Sequence, residues 1–90
     1  MDLARNYRIR GRVQGVGYRY FTQRTALRLG VRGWVRNMPN GDVEVRAEAD
    51  GAVLKSFREE LERGPTSSQV REVIEEAVRP ELYSSFEIRG

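Results

Sequence analysis

The polar and apolar positions of this chain change period several times, and each change marks an element. From Asn6 to Val13, the residues Tyr7, Ile9, Gly11 and Val13 alternate with Arg8, Arg10 and Arg12, as in a strand with one face buried. From Arg19 to Leu29 the spacing widens. Phe21, Thr25 and Leu29 fall on one face with Ala26 beside them, and Gly30 supplies a stop, which predicts a helix. Val31 to Arg36 returns to period two, with Val31, Gly33 and Val35 set against Arg32, Trp34 and Arg36. Pro39, Asn40 and Gly41 form a turn, after which Val43, Val45, Ala47 and Ala49 alternate with Glu44, Arg46, Glu48 and Asp50. An Asn-Gly pair between two alternating runs predicts a hairpin of strands two and three. Asp50 is placed to cap a second helix over residues 51 to 63, with Val53, Leu54, Phe57 and Leu61 on one stripe and Gly64 and Pro65 ending it.

After Pro65 two periods compete. Val70, Val73, Ile74, Ala77 and Val78 fit a helical template, whereas the Val and Ile content, the turn-forming Thr66, Ser67 and Ser68, and topology favour a strand. A β-α-β-β-α order needs one more strand to complete a split βαβ sheet. A short fifth strand through Phe86 and Ile88 closes the chain. The predicted fold class is therefore α+β, a ferredoxin-like split βαβ sandwich. Two helices cover one face of an antiparallel sheet, and the open face carries the alternating Arg and Glu. Ninety residues (1–90) suffice for one domain with a small core.

Composition narrows the chemistry. The chain has no Cys and no His, which removes disulfides, zinc sites of the usual kind, thiolate nucleophiles and Ser-His-Asp catalysis. The N-terminal segment has no apolar run fit for a signal peptide, and no stretch approaches the ~18 apolar residues of a membrane span, so a cytoplasmic protein without a membrane partner is expected. Fifteen of the sixteen basic residues are Arg, and the formal charge is +3. Because these charges are scattered among Glu, no nucleic-acid partner is expected.

The candidate chemistry sits at the junction of the first strand and helix, Gly11 to Thr22, which reads GRVQGVGYRYFT. Gly15 and Gly17 allow backbone angles closed to other residues and let a ligand approach exposed N–H groups. Arg19 lies at the start of the helix, where the positive end of the dipole repels a cation, so it calls for an anion. The backbone N–H groups of Gln14, Gly15, Val16, Gly17, Tyr18 and Arg19, with the Arg19 guanidinium, are expected to converge on one phosphate-like group. A plain strand-to-helix turn is the alternative for the glycines. A G-x-G-x-x-G pattern fails at Tyr20, and no Gly-Lys-Ser/Thr is present. Asn37, standing before Met38 and Pro39, reads locally as a turn residue.

GRVQGVGYR resembles the first signature of the acylphosphatase family, and GWVRN, Gly33 to Asn37, resembles the second. The resemblance runs from about Tyr7 to the C-terminus, including the ending YSSFEIR. It implies a strand after Pro65 and hydrolysis of the carboxyl-phosphate bond of a small acyl phosphate, with inorganic phosphate as a product. By this resemblance Arg19 binds the phosphate and Asn37 orients the attacking water, with no metal, cofactor or covalent enzyme intermediate. A monomer is expected. One departure is Ala49, where the family's longer second signature has a glycine. Two other functions share the element order. RNA recognition motifs place aromatics on the open face of the third strand, but Asp42 to Asp50 has none and carries Glu44 and Glu48. The other is a free-standing form of the acylphosphatase-like domain of carbamoyl-transferring hydrogenase maturation proteins.

Overall fold

In the computed structural model, which describes residues 1–90, the elements are β1 (Asp2–Arg12), α1 (Tyr18–Leu29), β2 (Arg32–Asn37), β3 (Val43–Asp50), α2 (Gly51–Arg63), β4 (Gln69–Ala77) and β5 (Phe86–Arg89). They form a ferredoxin-like α+β sandwich in which two helices pack on a five-stranded sheet of order β4-β1-β3-β2-β5. Strand β1 starts earlier than the alternation suggested, because Asp2 to Ile9 pair with Asp50 to Val43. The core is built by Tyr7, Ile9 and Val13, by Val35, by Val43, Val45, Ala47 and Ala49, and by the helix residues Ala26, Leu54, Phe57 and Leu61. Phe57 sits at its centre, edge-on to Tyr7 at 6.1 Å and to Phe86 at 6.2 Å. Ala49 is buried and pairs with Leu3, so a methyl group is accommodated at that position.

The segment after Pro65 is a strand, and its helix-like spacing has a structural cause. Arg10 pairs with Glu72 and Gly11 with Val70, so Arg71 is an extra residue in a bulge. A bulge breaks the period of two. Val70 and Val73, three apart in sequence, therefore both pack against the core. Helix α1 buries part of the predicted face, Thr25 and Ala26, and widens it to Tyr18 and Thr22. It begins at Tyr18, Leu29 packs half-buried against the core, and Phe21 is only partly covered.

Two expectations about the sheet are corrected. It is mixed rather than antiparallel, because β5 pairs in parallel with β2. Nor is the face away from the helices fully open. Residues 78–85 cross it from the β4 edge to the β2 edge, which forces β5 to enter in the direction of β2. Glu48, 2% exposed, accepts hydrogen bonds from the backbone N–H groups of Glu81 (2.5 Å), Leu82 (3.2 Å) and Tyr83 (3.0 Å). Trp34, 8% exposed, donates its indole N–H to the Tyr83 hydroxyl at 3.0 Å. These bonds staple the crossing to the sheet.

The topology fixes where function can sit. Strands β1 and β2 both run antiparallel to β3, and β5 runs parallel to β2. The C-terminal ends of β1, β2 and β5 therefore lie at one end of the sheet, where α1 also begins.

Candidate active site

Three chain segments converge at that end. The first is the turn between β1 and α1, where Gly15 and Gly17 have φ values of 74° and 81°. A methyl group at either position would touch nothing within 4 Å, so glycine is required by backbone angle and not by room. Gly17 caps α1 without a side-chain hydrogen bond. The first bond of the helix runs from the Phe21 N–H to the Gly17 carbonyl at 3.0 Å, and the N–H groups of Tyr18, Arg19 and Tyr20 have no acceptor within the helix. Donors and dipole together favour an anion.

The turn is held from both sides. The Gln14 side-chain amide donates to the carbonyls of Met38 (2.8 Å) and Asp42 (2.9 Å), tying it to the hairpin that follows Asn37. Tyr18 donates its hydroxyl to the Leu61 carbonyl at 2.7 Å, which fixes the start of α1 against the end of α2. Burial pushes this phenol well above its ordinary value of 10.0, so it remains a neutral donor. The side chain of Val16 packs inward against the core.

The second segment is the end of β2. Asn37 is its last residue and pairs with Val43. Its amide oxygen is buried without a hydrogen-bond partner in the protein. Buried polar atoms are rarely left in that state, and this amide is not spent on the turn that its sequence position suggested. The third segment is the end of β5, where Gly90 O accepts from Arg19 Nη1 at 3.0 Å. Arg19 is the cation of the group and forms no ion pair with a carboxylate side chain.

A cleft of about 220 Å³ joins these parts, with Gly15, Gly17, Arg19, Tyr20, Asn37 and Ile88 in its lining. Arg19 and Asn37, from separate elements, thus share one small space. Gln14 supports the site from outside the cleft, its side chain tying the turn to the hairpin, a role that sequence reading missed. A larger cleft of about 530 Å³ lies beside Asn40, Asp42 and Arg71, but its charges are partly matched internally, with Arg10 between Asp42 (4.0 Å) and Glu72 (3.6 Å).

Fold and cleft define a ferredoxin-like α+β protein whose first strand-to-helix turn opens onto a cleft shared by Arg19 and Asn37. Its residues 5–88 match the acylphosphatase family model. An acylphosphatase from Thermotoga maritima is 46% identical over 82 residues, 91% of each chain. The crystal structure of acylphosphatase from Bacillus subtilis superposes with a TM-score of 0.95 at 37% identity, covering 98% of this chain and 99% of that one. Full-length HypF, in a phosphate- and nucleotide-bound form, is 27% identical with a TM-score of 0.91, but the match covers all of this chain and 12% of that one. The chain belongs to the acylphosphatase family. Acylphosphatases match over nearly their whole length at higher identity than HypF, and the maturation-complex alternative is not favoured.

Proposed function

We propose that this acylphosphatase binds the phosphate of its substrate with Arg19 and the backbone N–H groups of the Gln14–Arg19 turn, and that Asn37 orients the attacking water. The observation that carries the proposal is the shared cleft, in which Arg19 pairs with no Asp or Glu side chain and the Asn37 amide oxygen has no partner at all. Gly90 O holds one donor of Arg19, fixing the guanidinium plane while its remaining N–H groups are left for phosphate oxygens. The helix start adds N–H groups to the same anion.

The bond to be broken asks little of the protein. A carboxylic acid leaving group has a pKa of roughly 4, so it departs as the carboxylate without a general acid. What remains is positioning and charge stabilisation. Asn37 can accept from a water and turn its lone pair toward phosphorus without removing a proton. Water attacks phosphorus, the P–O bond to the acyl group breaks, and carboxylate and inorganic phosphate leave.

The proposal extends to a cytoplasmic monomer with no nucleic-acid partner and no cofactor. In its support, no cysteine calls for an oxidising compartment, and β3 has no aromatic residue on the face where an RNA binder needs them, which residues 81–83 instead cover at Glu48. The route of attack is tested by hydrolysing benzoyl phosphate in H₂¹⁸O. The label is expected in inorganic phosphate; label in benzoate would mean attack at the carbonyl carbon, and Asn37 would then not orient water toward phosphorus.

A further inference from the structure

In-line displacement places the entering water and the departing carboxylate on opposite sides of phosphorus. With the water at Asn37, the acyl group is directed away from Asn37. Two grooves adjoin the phosphate cleft. One, of about 480 Å³, contains Asn37 itself, with Trp34, Arg36, Arg46 and Arg89. The other, of about 380 Å³, runs between α1 and α2, shares Gly17 and Tyr20 with the cleft, and does not include Asn37.

We infer that the acyl group of the substrate lies in this second groove, where Tyr20 and Arg24 select a flat, apolar body ending in a carboxylate. The inference rests on the roles proposed for Arg19 and Asn37. Tyr20, Arg24 and Arg28 follow one another at successive turns of α1, forming one ridge along the groove. Tyr20 is 60% exposed, a large ring held in water at the mouth of the phosphate cleft. The Arg24 guanidinium stands 5.6 Å from the centroid of that ring. Arg28 is engaged by Glu60 at 3.8 Å, and Glu60 also takes Arg63 at 3.2 Å. Arg24 has no ion pair, so it is the groove's unmatched cation. A guanidinium above an aromatic face remains free to bind a carboxylate through its edge. A ring against Tyr20 would bring a distal acid toward Arg24.

The test compares 4-carboxybenzoyl phosphate with 4-carbamoylbenzoyl phosphate, which matches it in size without the charge. Wild type is expected to favour the carboxylate by about fivefold in kcat/KM, the upper range for a partly exposed ion pair, with the difference in KM. Arg24→Met should bring the ratio near one, whereas Arg46→Met, in the groove beside Asn37, should leave it unchanged. Tyr20→Ala should raise KM for both aromatic substrates more than for acetyl phosphate. A wild-type ratio near one, or a preference lost in Arg46→Met and kept in Arg24→Met, would overturn the inference while hydrolysis itself stood. No hydrolysis of any of the three acyl phosphates would overturn the roles of Arg19 and Asn37, and the inference with them.

Discussion

Arg19 occupies a place that helix electrostatics alone would deny it. The N-terminal end of a helix carries partial positive charge and disfavours a cation, yet Arg19 stands there with Gly90 O as its acceptor. This conflict was legible in the sequence, as was the need for Gly15 and Gly17. Asn37 was not, because its neighbours Met38 and Pro39 describe a turn and only the family resemblance set it apart. Gln14 left no local signal, since its acceptors lie 24 and 28 residues away. Gln14→Leu should cost about 1–2 kcal/mol of stability, at roughly 1 kcal/mol net per hydrogen bond, and should raise KM as the turn drifts from Asn37; urea unfolding and steady-state kinetics check both. Tyr18 makes a pH prediction. Its folded-state pKa is raised by burial above the ordinary 10.0, so the unfolded chain ionises first, and stability present below about pH 10 should fall as pH rises beyond it. Tyr7 is shifted in the same direction, chiefly by burial. Tyr18→Phe should lose about 1 kcal/mol near neutrality with the bond to Leu61; its urea midpoint should also decline less than that of wild type above about pH 10.

At the scale of elements, the alternating runs identified β1, β2 and β3, and the Asp50 cap marked α2, where its side chain accepts from the Ala52 N–H at 2.9 Å. Strand β4 needed topology as well, because the bulge at Arg71 gives Val70 and Val73 a spacing of three. The crossing before β5 could not be read. Its residues have no period, and they reverse the environment of Glu48, which alternation assigned to solvent. A buried carboxylate with three N–H donors is a strong local anchor. In Glu48→Gln a single amide oxygen must replace two carboxylate oxygens, and the new NH₂ faces donors. The substitution should cost about 2–3 kcal/mol, the range for bonds to a charged group, and amide exchange should quicken at Glu81, Leu82 and Tyr83. Unchanged exchange there would mean that the crossing is held by Trp34 and Tyr83 instead.

For the whole molecule, the decisive property is direction. Because β1, β2 and β5 point the same way, one end of the sheet receives the glycine turn, Asn37 and Gly90, while α1 turns its N-terminus toward them. No single element contains the site. Charge matters less than its abundance suggests: most of the ion pairs have at least one exposed partner, and such pairs contribute little. The +3 balance aids approach of an anion without choosing which one. Choice belongs to the cleft, and steady-state hydrolysis of benzoyl phosphate in chelator tests the cleft most directly. Wild type is compared with Arg19→Ala and Asn37→Ala, each shown to be folded by circular dichroism. Each variant should turn over about 10² times more slowly or worse, by analogy with loss of one donor to a transition-state oxyanion. Near wild-type turnover in either would contradict the mechanism, because the residue in question would then share the cleft without serving the reaction.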